Sequence, residues 1–296
     1  MIVGSDHDVV IPILQADTEL VVTAAISTLT CLAAFIILLR QKSQDPFVKL
    51  SIGLIISDFI YFLPKSIVAF SFLRGDFFCT AATVIVETGK CLAFAFSVIF
   101  AYSFYLVAKI SDGGSVITKK IHTFFYVSII PSVLMGLLTI VFQYIKYDPQ
   151  NNDCRRPVTG HSGALDYKYI ILATIPMAMA TLANIVFIVW GYILSRRNPT
   201  KSTCRSLSLM LLYPGVILVC WIPIFCVATL GYFSDSGRLT QKSYNAVETL
   251  VNLQGTLDVL VYGVTAQRLR KLCSCFKFKP ERASDEYLVN SADADE

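Results

Sequence analysis

The sequence is short of charge, and the charge that it has is unevenly placed. Only 16% of its 296 residues are Asp, Glu, Lys or Arg, against about 25% in ordinary soluble domains. The stretches 20–39 and 206–234 contain no charged residue at all. A helix needs about 20 apolar residues to cross a hydrocarbon layer, whereas a soluble helix of that length normally keeps a polar face. The scarcity of charge therefore excludes an ordinary soluble domain and predicts membrane-spanning helices.

Seven spans follow from the same criterion, so we predict an all-α membrane protein built as a seven-transmembrane helix bundle. The spans cover residues 20–39, 47–73, 79–108, 121–144, 167–194, 206–234 and 243–264. We divide the chain into an extracellular N-terminus (1–19), the bundle (20–264), a short juxtamembrane amphipathic helix (265–279) and a disordered acidic cytoplasmic tail (280–296).

The orientation of the bundle comes from the basic residues. The first nineteen residues contain no Lys or Arg, and alternate loops divide most of the chain's basic residues sixteen to seven. Because short cytoplasmic loops carry the excess of Lys and Arg, we predict that the N-terminus lies outside and the C-terminus inside. We expect a multi-pass protein of the plasma membrane. The net charge of +4 reflects this asymmetry and predicts no nucleic-acid partner.

The cysteines divide by their predicted depth. Of the nine, only Cys79 and Cys154 fall in an oxidising compartment, so we predict a disulfide between them, with two free thiols as the alternative. Cys273 and Cys275 follow the basic stretch "AQRLRKL" directly after span 7. Juxtamembrane cysteines beside basic residues favour S-palmitoylation, and plain exposed thiols are the alternative.

Charged residues inside the spans need a reason, because each costs about 2.5–3.5 kcal/mol at the centre of the bilayer. Asp58 and Lys65 share one face of span 2, and the lean of helical side chains brings the Lys65 amine toward Asp58. Glu87 and Lys90 are spaced i, i+3 in span 3. Together with Glu248, the residues Lys65, Glu87 and Lys90 lie in the outer half and predict a ligand pocket. Pairs that only fix helix packing are the open alternative.

Two carboxylates lie deeper than the predicted pocket. Asp58 and Asp258 fall on the inner side of the midplane, and we predict that they approach one another and couple the pocket to the inner face. Two neighbouring carboxylates cannot both ionise cheaply, so either one holds a proton or the pair shares a cation, such as a sodium ion near Asp58. We expect no other cofactor and no metal centre. The three histidines are scattered and no nucleophile–base arrangement presents itself, so we expect no enzyme.

Three motifs resemble those of G-protein-coupled receptors. Cys220-Trp221-Ile222-Pro223 is similar to the C-W-x-P hinge, and "LIISD" (54–58) to the leucine-to-aspartate motif of span 2. "DVLVY" (258–262) resembles the N/D-P-x-x-Y motif of span 7, with Val259 in place of proline. The inner end of span 3, "AYSFYLVAK", lacks the acidic-Arg-Tyr triplet of rhodopsin-like receptors. "LYPGVILVCWIP" and "LVNLQGTLDVLVYG" look more like the cyclic-AMP-receptor-like group, which borders the secretin and adhesion receptors. The resemblance covers about residues 18–276.

The resemblance implies a receptor that binds a small extracellular ligand within the bundle and activates a heterotrimeric G protein. Trp221 and Pro223 would form the moving hinge, with Asp58, Asp258 and Tyr262 completing the activation residues. A proline removes a backbone donor, which leaves a carbonyl unpaired one turn earlier and gives a bendable point. The cytoplasmic tail would be the place for arrestin-like or kinase partners.

The chemistry of the ligand stays open. Arg155 and Arg156 directly follow Cys154 and, with Lys65 and Lys90, favour an anion such as a nucleotide, which the resemblance also implies. The acidic residues of the predicted pocket favour a zwitterion or an amine.

Other membrane proteins with buried charges are the alternatives to a receptor. A seven-span transporter or ion channel would also use buried Asp, Glu and Lys residues. Seven-span transporters usually repeat a three-helix half, and the sequence shows no second copy. A retinal photoreceptor would need a lysine in span 7, and none lies between residues 243 and 262.

Overall fold

The computed structural model describes residues 18–40, 46–67, 75–110, 113–142, 146–148, 153–155, 175–197, 211–233 and 241–263. The helices there are α1 (Thr18–Arg40), α2 (Pro46–Ile67), α3 (Asp76–Lys109), α4 (Gly113–Val141), α5 (Ile175–Arg197), α6 (Leu212–Phe233) and α7 (Gln241–Asn252). A turn at Leu253 separates α7 from a further helical segment at 254–263. Two short strands, β1 (Lys146–Asp148) and β2 (Asp153–Arg155), lie between α4 and α5.

Five of these helices are long and apolar enough to cross a membrane, namely α1 to α5. Over the described residues α6 contributes a shorter apolar helix, Leu212–Cys226. The chain is therefore an almost entirely helical membrane protein, as the sequence predicts. The presence of seven spans and the orientation of the bundle remain predictions.

The helix limits differ from the predicted spans where polar residues continue a helix beyond its apolar part. We predict that span 4 begins at residue 121, yet α4 begins at Gly113 and includes Lys119 and Lys120. A membrane helix does not have to end where the hydrocarbon ends, because its backbone hydrogen bonds are internal in either solvent. The residues 68–73, 143–144, 167–174, 206–210, 234 and 264 of the predicted spans lie outside the described residues.

The helix α3 is the central element of the bundle. It packs against α2, α4, α5 and α6, while α1 packs against α2 and α7. Its first turn contains Asp76 and its last turn Lys109, and each charge complements the helix dipole at that end. Its 34 residues extend for about 50 Å, which exceeds a hydrocarbon layer of about 30 Å. Two thirds of the most apolar stretch of α3 is buried, compared with 22% of that of α4 and 17% of that of α5, so α4 and α5 form the periphery.

Two glycines allow α3 to approach its neighbours closely. A Cβ atom on Gly89 would lie 2.5 Å from the backbone nitrogen of Tyr61 in α2. One on Gly136 of α4 would lie 2.8 Å from the backbone oxygen of Val84. Because backbone atoms cannot move aside as a flexible side chain can, these positions require glycine for the observed packing.

A two-stranded hairpin between α4 and α5 is fastened to the start of α3. The strands pair antiparallel, with Tyr147 opposite Cys154, and β1 contacts α3. Cys154 forms a disulfide with Cys79, and their Cα atoms are 5.5 Å apart. The predicted disulfide is confirmed. The hairpin itself has no counterpart in the sequence analysis, because three-residue strands leave too little alternation to recognise.

Candidate functional site

The first polar cluster surrounds Lys65 near the end of α2. Its ammonium forms an ion pair with Glu248 of α7. It also donates to the Tyr61 hydroxyl at 2.7 Å and to Asn252 Oδ1 at 3.2 Å. These acceptors occupy all three donors of the ammonium. Lys65 is 8% exposed and Glu248 9%, so a buried, fully hydrogen-bonded ion pair ties α2 to α7.

The partner of Lys65 differs from the prediction that its amine approaches Asp58. Seven residues of helix rise about 10 Å, which is more than a lysine side chain spans, although the two residues share a face. Glu248 instead comes within reach from α7. The prediction about that pairing was wrong, while the shared depth of Lys65 and Glu248 is as expected.

The second predicted pair, Glu87 and Lys90, lies within α3. The two side chains form an i, i+3 ion pair and are 5% and 7% exposed. Gly89 between them lies against the backbone of Tyr61, so this part of α3 is pressed against α2. The structure thus holds the four predicted pocket residues as two separate neutral pairs, one between helices and one within a helix.

The third cluster contains the two deep carboxylates and a glutamine. Asp58 and Asp258 are both fully buried. Gln254 donates through Nε2 to Asp58 Oδ1 at 2.9 Å and to Asp258 Oδ2 at 3.4 Å. The two carboxyl groups therefore share one donor and lie close together. Among the described residues, Asp58 Oδ2 and Asp258 Oδ1 have no hydrogen-bond partner, a pattern that fits a proton or a hard cation on the pair.

Trp221 of α6 lies between the Lys65 cluster and the carboxylates. Its indole nitrogen donates to Gln254 Oε1 at 2.5 Å. Its ring centroid is 5.8 Å from that of Tyr61 and 5.0 Å from that of Phe94. Tyr61 accepts from Lys65 and Gln254 donates to the carboxylates, so Trp221 contacts a residue of each cluster.

The remaining predicted activation residues flank this contact. Pro223 lies inside α6, two residues after Trp221, and is half-buried. Tyr262 follows Asp258 by four residues and is 9% exposed. Their part in activation stays a prediction.

Other predicted residues lie at the ends of the described segments or outside them. Arg155 lies at the end of β2, where its backbone is paired with that of Lys146. Arg156, Cys273 and Cys275 lie outside the described residues, as do residues 1–17 of the N-terminus, the juxtamembrane segment 265–279 and the tail 280–296.

Three residues that build the site were not predicted from the sequence, namely Tyr61, Asn252 and Gln254. Each is an uncharged polar residue within an apolar segment, where only charges, prolines and motifs carried the predictions. Gln254 precedes Asp258 by one helical turn, and Asn252 follows Glu248 by one turn. The signal that could have found them is therefore a polar residue one turn from a buried acid.

No protein-family model matches the chain, and no curated protein sequence matches it. The function of the site therefore has to follow from its own geometry.

Proposed function

We propose that the chain is a G-protein-coupled receptor, similar to the cyclic-AMP-receptor-like group. In this proposal it has seven spans and an outer N-terminus, and it lies in the plasma membrane. A small extracellular ligand binds among the outer ends of the helices, and a heterotrimeric G protein binds at the opposite end. The motifs in α2, α6 and the helical segment 254–263 support the proposal, and so does the packing that brings their residues together.

The observation that carries the proposal is the position of Trp221. It contacts Tyr61, a partner of Lys65, and it donates to Gln254, the donor shared by Asp58 and Asp258. A change around Lys65 can therefore reach the two carboxylates through one indole ring. Such a chain of contacts between three helices is what a receptor needs to relay occupancy across a membrane.

The expected mechanism is a shift between two arrangements of α6. A ligand that replaces part of the Lys65–Glu248 pairing would alter the contact of Tyr61 with Trp221. Because Pro223 lacks a donor for the carbonyl of Val219, the helix bends most easily at this level. The ligand favours one arrangement only by its difference in affinity for the two, so a few kcal/mol between them suffice.

The chemistry of the two buried ion pairs favours a small ligand with both a cationic and an anionic group. Lys65 with Glu248 and Lys90 with Glu87 carry no net charge. A ligand with one net charge would leave one buried residue of these pairs without a partner, which is costly. A zwitterion can exchange partners with a pair and keep the site neutral.

Further parts of the proposal concern Arg155, at the end of β2, and residues outside the described part of the chain. Arg155 and Arg156 would bind the anionic part of a ligand at the mouth. Cys273 and Cys275 would be palmitoylated, and arrestin-like or kinase partners would bind the tail.

Nucleotide exchange on G proteins tests the proposal. Vesicles that contain the full chain are mixed with purified G-protein heterotrimers of several classes. Small zwitterionic metabolites are then screened while the binding of a GTP analogue to the G protein is measured. We expect stimulated exchange with at least one class, which Trp221→Ala reduces without lowering the amount of folded protein. Exchange equal to that of empty vesicles across the panel would contradict the proposal.

A transporter or ion channel is the second candidate, and one observation favours it. Two buried carboxylate oxygens, one on Asp58 and one on Asp258, have no hydrogen-bond partner among the described residues. Buried acids of this kind also serve ion and proton paths. This function predicts solute uptake or current in vesicles that contain the chain and no G protein.

A further inference from the structure

A groove lies between α4 and α5 on the surface of the bundle. Both helices pack along α3, yet in the described part of the chain they hardly touch each other. Tyr102 of α3 lies between them, with its ring centroid 6.1 Å from Phe124 of α4 and 5.2 Å from Phe187 of α5. Tyr105 continues this floor one turn further, 5.9 Å from Phe187. We call this the α4–α5 groove.

The groove opens toward the lipid. The outward sides of α4 and α5 carry large exposed apolar side chains, among them Tyr126 at 66% and Trp190 at 59%. Trp190 follows Phe187 by three residues, so it lies on the same side of α5 as the groove. Tyr102 and Tyr105 are half-buried, which leaves part of the floor accessible. An acyl chain has the shape and polarity to lie on such a surface.

One end of the groove is basic. The helices α3 and α5 finish there with Lys109 and with Arg196 and Arg197, and α4 carries Lys119 and Lys120 in its early turns. All five side chains are exposed. The short connection from α3 to α4 makes these two helices antiparallel. The helix α5 runs parallel to α3, because Asn184 bonds to Ser97 and Phe187, further along α5, contacts Tyr105, so these residues share one end of the bundle.

Two of these cations are held against aromatic rings. The Lys109 ammonium lies 5.5 Å from the Tyr105 centroid, and the Arg196 guanidinium lies 4.8 Å from that of Tyr192. These contacts keep the charges beside the groove while their hydrogen-bond donors stay available. The described residues supply no carboxylate to any of the five. Asp112 is the only acidic residue between Glu87 and Asp148 in the sequence, and it lies outside the described residues.

We propose that the α4–α5 groove binds an anionic phospholipid. Its phosphate headgroup would lie among Lys109, Lys119 and Arg197, with one acyl chain on Tyr102 and Tyr105. The charge complementarity selects the headgroup, and the half-exposed aromatic floor accommodates the chain. The inference requires only that the chain spans a membrane and does not depend on the receptor function.

Trp190 provides a local probe, because the chain has only two tryptophans and Trp221 is 7% exposed. The full chain is reconstituted in phosphatidylcholine nanodiscs with a minor fraction of lipid brominated near the top of the acyl chain. That lipid is phosphatidylserine in one sample and phosphatidylcholine in the other. We expect phosphatidylserine to quench Trp190 at several-fold lower mole fraction, since one basic residue strengthens binding to an anionic surface about fivefold. The variant Trp190→Phe supplies the background from Trp221.

The matched variants separate a site from a general positive field. Lys119→Gln/Arg197→Gln removes two charges beside the groove, and Arg40→Gln/Lys49→Gln removes two at the same end on α1 and α2. The inference requires that the first pair abolishes most of the preference for phosphatidylserine and that the second pair leaves it. Equal quenching by the two brominated lipids in the wild type would overturn it. A loss of the same size in both variants would overturn it as well.

Discussion

Single side chains decide whether the buried polar network is stable. Gln254 is 1% exposed and uses both ends of its amide, accepting from Trp221 and donating to Asp58 and Asp258. An apolar residue of similar size would leave the indole N–H and both acids without these bonds. A buried polar group left unpaired costs about 1–3 kcal/mol. Gln254 should therefore matter to stability as much as the charged residues do.

The substitution Gln254→Leu tests this reasoning. We expect a lower midpoint of thermal unfolding, read by the reaction of a thiol dye with the buried Cys31 and Cys220. Trp221→Phe keeps most of the ring and removes only the indole bond, so its midpoint should fall by less. A Gln254→Leu protein that is as stable as Trp221→Phe would show that the carboxylates do not rely on the amide.

The Lys65–Glu248 pair allows a second test at this scale. Lys65→Met leaves Glu248 buried without its cation and should cost about 3–5 kcal/mol. Replacing both residues, as in Lys65→Met/Glu248→Met, removes the stranded charge and should restore most of the stability in the same assay. If the double variant is no more stable than Lys65→Met alone, the loss does not come from an uncompensated charge.

At the scale of helices, close packing depends on where glycine occurs. At Gly89, α3 lies against the backbone of Tyr61, the α2 residue that accepts from Lys65 and contacts the ring of Trp221. A methyl group at Gly89 would meet backbone atoms of Tyr61 and Ile60 within 3.0 Å. These atoms can yield only if the helices move apart.

Gly89→Ala should therefore reduce the yield of folded protein and its unfolding midpoint. Gly215→Ala in α6 is a matched control, because nothing lies within 4 Å of its added carbon. There alanine should be neutral or stabilising, since it favours a helix by about 1 kcal/mol over glycine. Equal effects at the two positions would mean that α2 and α3 tolerate a wider spacing than the structure has.

The helices themselves were largely predictable from the sequence, while their contacts were not. The charge-free stretches located α1 and α6, and the cysteine distribution predicted the Cys79–Cys154 bond. The closeness of Asp58 and Asp258 followed from their common depth. The partner of Lys65 could not be predicted from depth, because it depends on how far α7 lies from α2. Gln254 was missed because its importance comes from two acids and an indole that only packing brings together.

The whole molecule has a well-packed centre and a lightly packed periphery. The helices α2, α3 and α7 and the helical segment 254–263 hold the buried charges, whereas most of the surface of α4 and α5 faces outward. The disulfide fixes the hairpin at one end of α3, and Lys109 marks the other end. This division fits a molecule in which α6 moves against a fixed core, with Trp221 reporting the state of the Lys65 cluster to the carboxylates.

Nucleotide exchange with proline variants tests this account most directly. Pro223 lies beside Trp221 in α6, and Pro131 is an exposed proline inside α4, which makes Pro131→Ala a matched control. Each variant is compared with the wild type at equal amounts of folded protein, using the G protein and the metabolite that give the largest stimulated exchange. The account predicts that Pro223→Ala stiffens α6 and lowers stimulated exchange several-fold, while Pro131→Ala leaves it unchanged. Equal stimulated exchange in the wild type and Pro223→Ala would contradict it, and so would uptake or current that persists without any G protein while no exchange occurs.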